Sequence, residues 1–298
     1  MRWIREIAPQ PDHSRLYRQA MILTLSGNIL LAVAKAVTAA LSGSVALYAD
    51  AANSVSDVVY SLFMVFGLWM AQRPPDISHP QGHSRFEPLV GMAVTASMAF
   101  AGFEAARAAI ERMIAGGLAV EPGLPTLVLV VSAVIKAGMF YRIRWIARRL
   151  SSPTLATAAQ DNLSDVLTSS AAFLGALGSS FIHPMLDAAG GILVALWIFR
   201  SVYRAARENL GFLTGAGADE DLRNRMVSEV ASVPGVLRVH HLMSEYTGPR
   251  VVVDLHVNVD GAMTLDQAHQ IADEVITRLE AMPEVDRAYV HIEPEGYE

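Results

Sequence analysis

Asn53-Ser-Val-Ser-Asp57 and Asp161-Asn-Leu-Ser-Asp165 sit inside runs that are otherwise oily enough to cross a bilayer. A carboxylate near mid-membrane is costly unless it is paired, hydrated or bound to a cation, so two such pairs point to a path for a metal ion. Residues four apart share one helix face, which lets Asn53 with Asp57 oppose Asp161 with Asp165 and close a four-ligand site. Such a site offers oxygen donors only and up to three negative charges, a set suited to a hard or borderline divalent ion such as Mn2+. The competing role for these groups is hydrogen bonding between helices, or a water-lined polar seam. Asp50, one turn before Asn53, is either an accessory ligand in an outer vestibule or a group that reaches water at a helix end.

Imidazoles supply two further constellations. Asp76-Ile-Ser-His79-Pro-Gln-Gly-His83 is a short polar loop that offers one carboxylate and two imidazoles around a Pro and a Gly, with Glu87 nearby. Taken alone it is a weak motif, equally read as a polar loop with incidental His. The last third of the chain holds His240, His241, His256, His269 and His291, five of the chain's nine histidines, together with Glu293. His291 and Glu293 lie two apart and share one strand face, so they can grip one ion together, whereas His241 and His269 have surface decoration as their alternative. Lys35 and Lys136 also fall in apolar spans, where pairing with an acidic group on a neighbouring helix is the expected use.

The elements that must position these groups follow from composition and period. Hydrophobic residues make up 52% of the 298 positions and charged residues only 17%, against about 25% charged in a soluble domain, so most of the chain belongs in lipid. Six segments, near 17-41, 45-71, 88-114, 123-146, 153-178 and 184-209, approach or exceed the roughly 20 residues a spanning helix needs. Ser-Gly-Ser at 42-44, Arg73-Pro-Pro, Glu87-Pro88, Gly116-Gly117 with Pro122, Ser151-Ser-Pro153 and His183-Pro184 punctuate them. Arg2, Arg5, Arg15 and Arg18, then Arg73 and Arg85, then Arg142, Arg144, Arg148 and Arg149 crowd one side, so the positive-inside rule places both termini in the cytoplasm. In that orientation Asp57 lies roughly 22 Å, and Asp161 and Asp165 roughly 15 and 21 Å, from the cytoplasmic helix ends at 1.5 Å per residue. The two pairs meet at similar depth.

After residue 210 the texture becomes charged and water-compatible. Gly211-Phe-Leu-Thr-Gly-Ala-Gly-Ala reads as a linker, Asp219 to Ser232 as an amphipathic helix, Val236 to Tyr246 and Arg250 to Val259 as strands joined at Thr247-Gly-Pro, Thr264 to Met282 as a helix, and Val285 to Ile292 as a third strand. The expected organisation is a cytoplasmic segment 1-16, a six-helix transport domain 17-209, a linker 210-218, an αββαβ metal-binding domain 219-293 and a tail 294-298. The fold class is therefore a multi-pass α-helical membrane protein with a C-terminal α+β domain. The absence of Cys excludes disulfides and thiolate metal sites, and the net charge of −6 with no basic stripe gives no reason to expect nucleic acid. The N-terminal stretch has no apolar core or cleavage site and reads as retained.

With these motifs in hand the chain resembles the cation diffusion facilitator family of divalent-metal/proton antiporters over about residues 15 to 293. The resemblance implies a homodimer of six-helix protomers in an inner, cytoplasmic membrane, each with a ferredoxin-like cytoplasmic domain, exporting metal in exchange for protons. It places Asn53, Asp57, Asp161 and Asp165 on the transport site, and Asp76, His79 and His83 on a second site. It places His240, His256, His269, His291 and Glu293 on cytoplasmic metal positions, with His241 beside them. Zinc-transporting members usually carry a His among the four transport ligands, whereas this pattern of one Asn and three Asp looks like the manganese-exporting members, leaving Zn2+ and Fe2+ as alternatives. The chain departs from some relatives in having no Asp around Leu213 and Thr214 to pair with a basic residue near position 85. The resemblance implies no prosthetic group. A channel, a membrane-anchored metal sensor and a two-metal hydrolase are the competing classes. The mid-depth acidic pairs argue against the sensor, and the lack of a nucleophile or phosphate loop argues against the hydrolase.

Overall fold

The computed structural model describes residues 11–42, 45–116, 124–181 and 185–296. Arg2, Arg5, Gly117, Pro122, His183, Pro184 and the side chain of Asp50 lie outside the described residues. The chain forms two compact units, residues 1–209 and 210–298.

The first unit is helical: α1 (Pro11–Ser42), α2 (Val45–Ala71), α3 (Phe86–Ile114), α4 (Leu124–Leu150), α5 (Pro153–Phe181) and α6 (Met185–Leu213). Helix α1 starts at Pro11 rather than near 17, because proline's fixed φ suits the first helical turn and nothing between it and the apolar run breaks the helix. Among the described residues, four stretches, Asp12–Leu41, Ala51–Ala71, Phe86–Ile114 and Ala188–Leu213, are long and apolar enough on their own to cross a membrane. The bundle is turned inside out relative to a water-soluble one. Phe100, Phe103, Leu193 and Leu196 are each more than half exposed, an outer surface suited to lipid tails.

Inside, Ala20 of α1, Met64 and Leu68 of α2, Met139, Ile143 and Ile146 of α4, and Leu155, Ala158 and Ala159 of α5 form one buried cluster. These four helices also carry Lys35, Asp57, Lys136, Asp161 and Asp165. Small residues set how closely the helices approach. A Cβ added at Gly67 of α2 would lie 1.9 Å from Val90 Cγ2 of α3, and one at Gly91 would lie 2.1 Å from Asn209 Oδ1 of α6. Gly67→Ala is expected to lower the apparent melting temperature of the detergent-solubilised protein, at a cost of roughly 1–3 kcal/mol from overpacking. A wild-type melting curve would refute this close approach.

At the membrane edges the charged residues pair locally. Arg107 lies 3.4 Å from Glu104 and 3.6 Å from Glu111 on the exposed face of α3, as their helical spacing predicts. At the end of α4, Arg142 and Arg149 stack on Trp145 at 4.4 and 4.3 Å from its ring centroid.

The second unit is α7 (Glu220–Ala231), β1 (Arg238–Thr247), β2 (Arg250–Val259), α8 (Leu265–Ala281) and β3 (Val285–Pro294), the expected αββαβ order. Asp219 caps α7 by accepting from Leu222 N at 2.8 Å, and Thr264 with Gln267 forms a capping box on α8. Gly248, at φ 78°, makes the β1–β2 turn. The sheet order is β1-β2-β3, with β1 antiparallel and β3 parallel to the central β2, the parallel return being made through α8. Val251, Val253, Leu255 and Val257 of β2 pack with Met226 and Val230 of α7 and Val275 and Leu279 of α8. The strand's period of two turns Val252, Asp254 and His256 to the opposite face.

Candidate metal centres

In the membrane unit, α2 presents Asp57 and α5 presents Asp165 to a common point, and an ammonium occupies it. Lys136 of α4, buried, donates to Asp57 Oδ2 at 3.1 Å and lies 2.6 Å from Asp165 Oδ2. Asp161 sits one turn before Asp165 on α5 and acts on both aspartates through space. The four-ligand closure expected from spacing alone is not what the structure holds. Asn53, one turn from Asp57, is exposed, and among the described residues the three aspartates do not bring one ligand oxygen each within 4.8 Å of the others. The physical reason is repulsion: carboxylates in a low-dielectric bundle separate unless a cation lies between them, and here Lys136 serves for two of the three. Lys35 of α1, also buried, acts on Asp57 electrostatically.

One turn further along α2, Ser61 donates to the Asp57 carbonyl at 2.7 Å and accepts from Asn28 of α1 at 2.7 Å. The Asn28 Oδ1, Thr24 Oγ1 and Asn162 Oδ1 atoms are buried without a protein partner. Each is a place where water or an ion can be held.

The sequence offers Glu87 both as punctuation before Pro88 and as an acidic neighbour of the His79 and His83 loop, and the structure buries it. Its carboxylate accepts from Tyr17 Oη of α1 at 3.0 Å and from Ser152 Oγ at the start of α5, while its carbonyl accepts from Thr154 Oγ1. One residue thus ties α1, α3 and α5 together. A carboxylate in the first turn of an apolar helix was the available signal.

The loop between α2 and α3 folds on itself. Asp76 Oδ1 accepts from His79 N at 2.7 Å, Gly82 N donates to the His79 carbonyl at 2.9 Å, and Gly82 takes φ 98° to let the chain reverse. The His79 and His83 ring centroids lie 4.5 Å apart with the rings tilted by 50°, and Asp76 Oδ2 is 3.4 Å from His83 Nε2. One ligand atom from each of Asp76, His79 and His83 lies within 4.8 Å of the others, and the buried His83 Nδ1 has no partner. The His79 amide holds the Asp76 carboxyl below the ordinary carboxylate range, so it stays an ionised ligand through mild acid.

In the second unit the ladder shifts register between Val239 and His241, and this bulge turns His240 inward beside His241. His241 is paired with His256, and His256 with His291, so their rings line up across the sheet at 4.7 and 4.9 Å. His240 Nδ1 contacts Asn258 Oδ1 at 3.0 Å, while His240 Nε2 and Glu293 Oε2 approach to 2.9 Å. Neither of those two atoms has hydrogen-bond geometry with any partner, although both are buried. A lone pair facing a carboxylate across such a gap is a donor set awaiting a cation, and His240, His256 and Glu293 meet the same 4.8 Å condition. His291 lies at the rim, 3.3 Å from Glu293. His269 is not brought to this cluster within the chain: it sits on the exposed side of α8, 3.5 Å from Asp273, while the helices cover the sheet face opposite His256.

The transmembrane-domain model of the cation efflux family matches residues 21–214, and that family's cytoplasmic-domain model matches residues 218–295. The chain belongs to the cation efflux family. Members of this family are membrane-embedded cation transporters, so the apolar helices of the first unit are its spans, and the αββαβ unit is the one that the family's cytoplasmic-domain model matches. An uncharacterized transporter of Methanocaldococcus jannaschii is 33% identical over 279 residues, covering 94% of this chain and 99% of the relative. The magnetosome protein MamM of Paramagnetospirillum magneticum is 30% identical, covering 84% and 80%. The manganese efflux system protein MneS of Bacillus subtilis is 25% identical, covering 95% and 97%. Within this cation efflux chain, Asp57, Lys136 and Asp165 form a charged cluster among the helices of the first unit.

Proposed function

We propose that this protein exports a divalent metal cation, foremost Mn2+, from the cytoplasm in exchange for protons. The observation that carries the reading is the convergence of Asp57 and Asp165, on two different helices of an apolar bundle, on a point already held by a cation. The ion enters from the side where the basic loops lie, is bound by Asp57, Asp161 and Asp165 with Asn53 closing over it, and leaves after the bundle rocks to face outward. Protons arriving at the same carboxylates lower the affinity and are carried back. The all-oxygen donor set favours Mn2+, as does the similarity to a manganese efflux protein, and Zn2+ and Fe2+ are the alternatives.

The orientation has both termini inside, the membrane is a bacterial inner membrane, and the working unit is a homodimer joined through the cytoplasmic domains. The His240–His256–Glu293 cluster, with His241 and His291 at its edge, and the Asp76–His79–His83 loop take the same metal from the cytoplasm. Binding there removes repulsion within the clusters and reports metal abundance.

Metal flux and the accompanying pH change in proteoliposomes, compared for Mn2+, Zn2+, Fe2+ and Cd2+, test the transport reading. Manganese-preferring flux with coupled proton movement is the expected result. Zinc preference would overturn the choice of ion, and metal binding without flux would replace the transporter by a sensor. For the cytoplasmic cluster, calorimetry on the full chain is expected to lose one class of sites on Glu293→Gln, with affinity at least about tenfold weaker, whereas His269→Ala leaves the titration unchanged. Acidification weakens the same sites because protons compete for the imidazoles.

A further inference from the structure

The space that a transported ion needs between Asp57 and Asp165 is filled by part of the protein itself. A hard divalent ion sits about 2.0–2.6 Å from its oxygen ligands, so one bridging Asp57 Oδ2 and Asp165 Oδ2 must take the place of the Lys136 ammonium, which lies 3.1 and 2.6 Å from those atoms. We propose that Lys136 is a tethered competitor for the transported cation, displaced when metal loads and returned when metal leaves. This rests on the reading of Asp57 and Asp165 as transport ligands.

Three consequences follow from charge and geometry. An empty site with three carboxylates in a dry bundle is penalised, and the ammonium offsets one of those charges, so the unloaded transporter can change conformation. A monovalent ion has no advantage over a single charge that is already in place and needs no loss of translational freedom, so the lysine biases the site towards divalent ions. Metal affinity is held down by the cost of moving the ammonium aside, which keeps release fast. A four-carbon stem with a compact charged head suits this motion, whereas a planar guanidinium would clamp both carboxylates at once.

Flux measurements in proteoliposomes at varied Mn2+, separating KM from kcat, test the proposal on the full-length chain. Lys136→Gln is expected to lower KM by about tenfold while kcat also falls. Loss of packing alone would not tighten binding. Lys136→Arg keeps the charge and the bundle but holds the aspartates more firmly, and is expected to raise KM severalfold. An unchanged or raised KM in the first variant overturns the proposal. So does an unchanged or lowered KM in the second, which decides the matter if the first carries no flux. Asp57→Asn separates the two ideas: if it transports normally the site reading itself fails, and if it is inactive while both lysine variants keep the wild-type KM, only the role of Lys136 fails.

Discussion

Asp57→Asn should reduce Mn2+ flux by at least about a hundredfold while leaving the protein folded and its cytoplasmic metal binding intact. The side chain keeps its size and one oxygen, so the packing of α2 against α1 and α3 is preserved. What is lost is a charge, and with it one ligand of the ion and one carrier of a proton. The loss of charge also leaves Lys136 with Asp165 as its close partner at 2.6 Å, strengthening the hold of the ammonium on the remaining site. Asp165→Asn should behave alike, because the two aspartates flank the same ammonium from opposite helices. Flux into proteoliposomes, with calorimetry on the same preparations, checks both halves of the expectation. Wild-type flux in either variant would remove the membrane aspartates from the transport path.

The second large effect belongs to a residue far from any metal ligand set in the membrane. Glu87→Ala removes the carboxylate that accepts from the Tyr17 and Ser152 hydroxyls, and each lost hydrogen bond to a charged group costs about 1.5–3 kcal/mol. The expected result is a loss of roughly 2–4 kcal/mol, read as a clear fall in the apparent melting temperature in detergent. Glu87→Gln keeps one oxygen to accept from a hydroxyl and should fall between the two. Because the three helices joined at this point include α5, which carries Asp161 and Asp165, the alanine variant should also transport poorly. A melting curve matching wild type would show that the junction is held by the surrounding apolar contacts instead.

The cytoplasmic unit was the most legible part of the chain. Leu222, Met226 and Val230 recur every four residues, and Val251, Val253, Leu255 and Val257 every two, so period alone distinguishes helix from strand. Asp219 and Thr264 mark the helix starts one residue before each run. The helices α1 to α6 were nearly as clear, since hydropathy and the Pro and Gly breaks act locally. The sites were legible in residue type but not in arrangement. The resemblance grouped His269 with His256 and His291, whereas within one chain α8 holds His269 away from the sheet face that carries His256. Nothing in the spacing announced the bulge that brings His240 inward, because a ladder shift depends on how two strands pair.

Alone, the sequence determined which segments are apolar, which helices bear acids, where the water-compatible domain starts and which donors are on offer, because each of these depends on composition and on the local period of the backbone. The tertiary structure decided which charges meet. Lys136 is 79 residues from Asp57 and 29 from Asp165, and Glu87 is 65 from Ser152. Such pairs arise only when helices pack, and in a low-dielectric bundle the packing leaves a buried charge little choice but the nearest opposite charge.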